Sequence, residues 1–328
     1  MGPSEAKPEV PEMNTVALPE AAPAKKTPSF DFPIIDAHLH TYPTPEIGLQ
    51  AMQGRSQSGC TGTVEELLEL MRTGGIERAV MVNMTPVADM RDAALARGQS
   101  EQEAQTLVIE RLKRRNTWTC EIARNHPELV AFISLDPSMG EEDAAAEVRR
   151  CIDLGARGIK LHPASQRFYP HDPRLRAAYA EAQAQGLPII SHSGAAAEGA
   201  GESPYARPRE FAEVLEAFPG LTLVLAHLGL GCLEESEEMA DRYPNLYFDS
   251  SAAINGTVEP PPFPDEEAVR LIRRLGPDRV LFASDWPWFH PHRDAQRMAR
   301  LDLTDAEKRL ILRDNALRVL GLPQGVGG

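Results

Sequence analysis

From Pro33 onward the chain repeats one rhythm: a short apolar run rich in Val, Ile and Leu, a turn, then a longer stretch whose apolar residues recur at helical spacing. The apolar runs fall at 33–40, 78–84, 129–137, 156–163, 188–194, 222–229, 246–252 and 280–287. Helix-like segments between them lie near 64–73, 101–125, 141–154, 172–185, 208–218, 231–241 and 265–275. Some carry start signals: Thr63 with Glu66 three residues later forms a capping box, and Asp172 followed by Pro173 places proline in a first turn. The runs recur about every 35 residues, the size of a βα unit. Eight such units predict an α/β fold, the parallel (β/α)8 TIM barrel. A further amphipathic segment at 304–320 exceeds the count and is expected to pack as an extra C-terminal helix across the outside of the barrel. A nine-strand open sheet is the alternative, but it would keep the polar residues of the first and last strands far apart.

Residues 1–30 break the rhythm. Six prolines (Pro3, Pro8, Pro11, Pro19, Pro23, Pro28) stand among Ala, Glu and Lys, with too little apolar surface to offset the entropy of ordering. The segment reads as a disordered tail, leaving one barrel domain over 31–328. With 34 Lys and Arg against 48 Asp and Glu the formal charge is −14, which disfavours nucleic acid and anionic membrane surfaces as partners. No run nears the ~18 apolar residues of a membrane span, and the N-terminus lacks the basic-then-apolar order of a secretory signal. Cys60, Cys120, Cys151 and Cys232 form no C-x-x-C pair and suit buried thiols in a reducing compartment. The expected setting is the cytoplasm and the expected partner a small-molecule substrate; a homo-oligomer is compatible with these features.

Of nine histidines, five (His38, His40, His162, His192, His227) fall at or near the C-terminal ends of the predicted strands, where barrel active sites are built. In Ile34-Ile35-Asp36-Ala37-His38-Leu39-His40 the strand period of two puts Asp36, His38 and His40 on one side, and Ile35, Ala37 and Leu39 toward the helices. Two imidazoles so spaced suit a metal ion, although the His-x-His pattern alone fits core histidines as well. His192 and His227 each follow an apolar run and closely precede a glycine. The eighth run carries Asp285, whose burial without a partner would cost several kcal/mol, so a cation is expected beside it. Lys160 is the one lysine of six in a predicted strand and shares a face with His162. It is a candidate for holding an anionic substrate or, after modification, for bridging metals; an internal salt bridge to Asp36 or Asp136 is the plainer possibility.

The order His38-x-His40, Lys160, His192, His227, Asp285 on strands one, four, five, six and eight resembles the amidohydrolase superfamily. The similarity is to the branch holding aminocarboxymuconate-semialdehyde decarboxylases, lactonases and related metal-dependent hydrolases, and it runs from about residue 33 to 320. The resemblance implies that His38, His40, His192 and Asp285 hold one divalent metal, with zinc expected and manganese or iron as alternatives. It implies a second metal if Lys160 is carboxylated. His227 is implied to act beside the metal as an acid or polarising group, and Asp285 to move the proton of a metal-bound water. Lys160, His162 and Trp286 are the expected substrate-binding residues, helped by loop residues such as Arg55 or Arg207. The leading expectation is hydrolysis of a small carboxylate-bearing ester, lactone or amide. Non-oxidative decarboxylation at the same site is the alternative. Several decarboxylases of the branch carry Glu-x-His on strand one, so His38 tilts toward hydrolysis. A non-catalytic barrel scaffold is a third possibility, disfavoured because no expected ligand is missing. The basic run 111–115 is expected to be a solvated helix face. The loops 41–62 and 85–100 are expected to cover the site.

Overall fold

A computed structural model describes residues 30–194 and 203–322. The segment expected to be a disordered tail lies outside the described residues except for Phe30. The eight apolar runs form eight strands: β1 (Ile34–Leu39), β2 (Ile76–Met81), β3 (Leu129–Ser134), β4 (Gly158–Leu161), β5 (Ile189–Ser191), β6 (Leu223–Leu225), β7 (Leu246–Asp249) and β8 (Val280–Leu281). They pair in parallel and in sequence order from β1 to β8. Closure comes from the chain just beyond β8. Ala37 N donates to Phe282 O at 2.9 Å, Asp285 N to His38 O at 2.8 Å, and His40 N to Trp286 O at 2.7 Å. The protein is a TIM barrel, as the repeat predicts.

Helices occupy the intervening segments, among them Val64–Gly74, Glu101–Asn125, Glu141–Asp153 and Asp265–Leu275. The capping box forms: Thr63 Oγ1 accepts from Glu66 N, and the Glu66 carboxylate accepts from Thr63 N. The loops after β1 and β2 are not structureless, since they contain helices Pro45–Met52 and Val87–Ala96. The basic run is not wholly solvated either. Arg115 turns inward, bonds the Thr41 carbonyl, and sits 4.5 Å from the Trp118 ring and 5.3 Å from that of Tyr42.

Apolar residues sort into two layers. Ile34, Ala131, Ile159 and Phe248 pack outward against helix residues such as Leu67 and Val108. Ile35, Ala37, Val80, Phe132, Val224 and Leu281 form the inner layer. Gly158 belongs inside: a Cβ there would come within 2.3 Å of the Phe132 ring, so the phenyl fills the space of the missing side chain. The placement of Ile35 and Ala37 corrects the simple alternation expected for β1. Pairing with β2 slips between Asp36 and Leu39, which face Ala79 and Met81, so β1 spends one extra residue there. The bulge lets Ile35 and Ala37 point inward and still turns Leu39 out to the helices.

The C-terminal segment also differs from expectation. Ala316, Val319 and Leu320 join the inner layer, and Phe282 N donates to Ile311 O at 2.8 Å. Asn315 Nδ2 reaches Val280 O at 2.7 Å, and the Arg313 guanidinium reaches Pro33 O at 3.0 Å. The segment wedges between the starts of β1 and β8 and closes the floor of the barrel. An amphipathic pattern specifies that one face is buried, not which surface buries it.

Candidate metal centre

At the opposite end of the barrel, β1, β4, β5, β6, β7 and β8 deliver polar side chains to one place. His38, His40 and Asp285 each offer a ligand atom within 4.8 Å of the others. Asp285 Oδ1 lies 3.3 Å from His40 Nε2 and 3.7 Å from His38 Nε2. His38 Nδ1 donates to Asp249 Oδ2 at 2.8 Å, so in the neutral ring Nε2 is a bare lone pair aimed toward a carboxylate. Two acceptors facing each other call for a cation. Lys160 Nζ supplies one, 3.1 Å from His38 Nε2. Lys160 is therefore paired with neither Asp36 nor Asp136, and it belongs to the site.

His192 and His227 adjoin this group. His227 Nε2 lies 3.1 Å from His192 Nδ1, and the rings of His227 and His38 are 5.3 Å apart. His192 is not among the three clustered ligands, and its buried Nε2 has no hydrogen-bond partner among the described residues. His162 caps the short helix Pro163–Gln166, accepts Ser165 N on Nδ1 at 3.2 Å, and stacks on His192 with centroids 4.1 Å apart. The strand ends are tightly turned. His227, Leu228, Ala252 and Asp285 all have positive φ, an uncommon conformation for these residue types that clusters at functional sites.

Burial pulls the Lys160 ammonium down to about 8, against the attraction of Asp249 and Asp285. It takes His40 down to about 4, and pushes His162 and His192 well below the usual imidazole value, with neighbouring cations adding to the effect. His227 is lowered for the same reason. For Asp249 and Asp285 burial works to raise the value. Their histidine neighbours outweigh it and hold both carboxylates below the usual range. His40 and His192 are thus neutral imidazoles beside ionised carboxylates, the form a divalent cation binds. With the unpartnered His192 Nε2, these residues fit such an ion.

The Amidohydrolase family model matches residues 35–322. The chain belongs to that family. Among curated proteins it is 24% identical over 258 residues to a gamma-resorcylate decarboxylase of Rhodococcus jostii (strain RHA1), covering 66% of this chain and 78% of the relative. Among solved structures it is similar to a dihydroxybenzoic acid decarboxylase from Polaromonas sp. JS666, with bound manganese and the inhibitor 2-nitroresorcinol (TM-score 0.68, 18% identity, 90% of this chain and 98% of that one). It is also similar to a 5-carboxyvanillate decarboxylase from Sphingomonas paucimobilis (TM-score 0.63, 17% identity, 89% and 100%). The branch of the family inferred from the residues is the one these relatives occupy.

Some expected contributors to this amidohydrolase site lie elsewhere. Trp286 is fully buried in the outer layer between sheet and helices. The ring that meets the site is that of Trp288, edge-on to His40 at 5.2 Å. Trp288 is held by the loop after β1: Gln57 N donates to Trp288 O at 2.7 Å, and Ser58 Oγ to Pro287 O at 2.6 Å. Arg207 is engaged by Glu235, and Arg55 bonds its own loop at Met52 O. Asp36 does not join His38. Its carboxylate accepts from Ser284 Oγ at 2.5 Å and from His38 N and Ser284 N, tying β1 to the strand-eight loop.

Sequence reasoning missed Asp249 and Ser251. Asp249 Oδ1 accepts from His227 N and Ser251 N, both at 3.1 Å, and from Ser251 Oγ. The available signal was a carboxylate on the inward face at the end of an apolar strand, the same signal that singled out Asp285. Among the described residues no helix is long and apolar enough to cross a membrane. All four cysteines are free thiols, with Cys120, Cys151 and Cys232 buried.

Proposed function

We propose that this amidohydrolase is a metal-dependent, non-oxidative decarboxylase of a small hydroxylated aromatic acid. What carries this choice over hydrolysis is the gamma-resorcylate decarboxylase relative, which aligns over 78% of its own length. The site suits such a substrate. We assign His38, His40, His192 and Asp285 as ligands of one divalent ion, with manganese favoured over zinc by the Polaromonas relative's bound metal. When bound, the ion supplies positive charge for the substrate's oxygens and for the negative charge of the transition state.

The protein's own groups do the rest. Lys160, desolvated and flanked by Asp249 and Asp285, offers a cation for a second anionic oxygen. Trp288 provides an apolar edge beside His40 for a flat ring. His162, stacked on His192, lies within reach of the same space. Asp285, whose side chain is 16% exposed against 1% for His38, is the carboxyl group most open to substrate. We assign it the proton transfer. Ionised in the resting site, Asp285 takes a proton from solvent. The bond between ring and carboxylate breaks, its electron pair stays on the ring carbon, that carbon takes the proton from Asp285, and carbon dioxide leaves, which returns Asp285 to its ionised form. His227 has both ring nitrogens engaged within the protein, so its role here is to hold His192 and polarise the site.

The test is to offer metal-loaded protein a panel of hydroxybenzoates, lactones and cyclic amides in heavy-oxygen water, following carbon dioxide release and label in product. Carbon dioxide without heavy oxygen in the aromatic product is expected, and Asp285→Asn should lower kcat by about 10²-fold or more. Heavy oxygen in a ring-opened product without carbon dioxide would restore the hydrolytic reading.

A further inference from the structure

Proton placement in the histidine network follows from which atoms can only accept. The Ser251 carbonyl lies 3.2 Å from His227 Nδ1, and a carbonyl cannot donate, so Nδ1 carries the proton. Ser251 Oγ, 2.9 Å from the same nitrogen, agrees: its hydroxyl proton goes to the Asp249 carboxylate, leaving Oγ to accept. In a neutral ring His227 Nε2 is then a lone pair, which must accept from His192 Nδ1 at 3.1 Å. His192 therefore carries its proton on Nδ1, and its lone pair stands on Nε2, the buried atom with no partner. On the other branch, Asp249 Oδ2 accepts from His38 Nδ1 and leaves that lone pair on Nε2 as well.

We infer that Asp249 is a positioning residue that sets the tautomer of His38 directly and holds in place Ser251 and His227, which set that of His192, so that both rings present Nε2 lone pairs to a divalent cation. The two oxygens divide the work. Among the described residues Oδ2 accepts from His38 alone, whereas Oδ1 collects Ser251 Oγ and the backbone N–H groups of Ser251 and His227. His227, whose N–H donates to the carboxylate, has a positive φ. A single side chain on β7 thus orients ligands borne by β1 and the end of β5. Second-sphere partners of this kind commonly change metal affinity by about 10–100-fold when removed.

The division of oxygens makes Asp249→Asn specific. Three donors hold the amide oxygen at the Oδ1 position, so the NH2 group faces His38 Nδ1 and forces its proton to Nε2, where it blocks the ligand lone pair. The tautomer inference is independent of the proposed reaction, but the consequence for binding rests on the metal site in that reading. Long-range proton–nitrogen NMR of histidine-labelled, metal-free full-length protein reads the tautomers, and titration with manganese(II) or zinc(II) reads affinity. The expected result is Nδ1–H for His38, His192 and His227 in the native chain. In Asp249→Asn, His38 should switch to Nε2–H and affinity should fall about 10–100-fold. Ser251→Ala should keep the native tautomer of His38 and, through the backbone carbonyl, that of His227, with a smaller loss of affinity. Nε2–H at His38 or His192 in the native protein would overturn the inference, as would native tautomers and affinity in Asp249→Asn. If the native chain bound neither metal, the proposed function would fail while the native tautomers still tested the proton placement.

Discussion

Asp36, Asp249 and Asp285 are three carboxyl groups at or beside the site, and the donors around each decide its charge. Asp249 and Asp285 face imidazoles that hold them ionised. Asp36 accepts from Ser284 and the His38 backbone, and burial pushes it up to about 7 despite those hydrogen bonds, with the Asp249 charge adding slightly. In the unfolded chain it would titrate near the ordinary 3.8. Between about pH 4 and 7 the folded metal-free protein therefore holds a proton that the unfolded chain has released, so this group's stabilising contribution is full at low pH and is lost as pH rises through that window. The slope approaches about 1.4 kcal/mol per pH unit within the window. Urea unfolding of chelator-treated protein at pH 5 and pH 8 should show this loss, and Asp36→Asn, which keeps an acceptor and a donor for Ser284, should reduce it. An unchanged difference in the variant would assign the effect to other groups.

At the scale of elements, a local pattern and its tertiary placement are separable. The capping box at Thr63 and the eight apolar runs were readable because each depends on residues within a few positions of one another. The bulge in β1 was not, because it is a mismatch in pairing with β2. The C-terminal segment shows the same limit: its amphipathic period was legible, but its burial in the barrel floor depends on the gap between β1 and β8. Leu320, 2% exposed, tests that placement. Leu320→Ala should destabilise the protein by about 2–5 kcal/mol, as for a fully buried aliphatic side chain, measured as a lower urea midpoint. A change within about 0.5 kcal/mol would indicate a surface helix instead.

For the whole molecule, a cation that binds only the folded site adds stability by mass action. Manganese(II) or zinc(II) at about 100 times its dissociation constant should add about 2.7 kcal/mol and raise Tm, with the gain reversed by chelation. One equivalent per chain is expected. Two equivalents would support a carboxylated Lys160 bridging a second ion.

Read alone, the sequence determined the repeat, the barrel, and the delivery of His38, His40, Lys160, His192, His227 and Asp285 to strand ends, because periodicity and strand termini are local properties. It could not choose Trp288 over Trp286, find Asp249, or place the apolar face of the C-terminal segment in the barrel floor. Those choices depend on contacts such as His38 with Asp249, which are 211 residues apart. Such pairs meet only when β7 and β1 enter one closed barrel. Only the tertiary structure therefore decided where the protons of the histidine network lie, since each is placed by an acceptor on another strand.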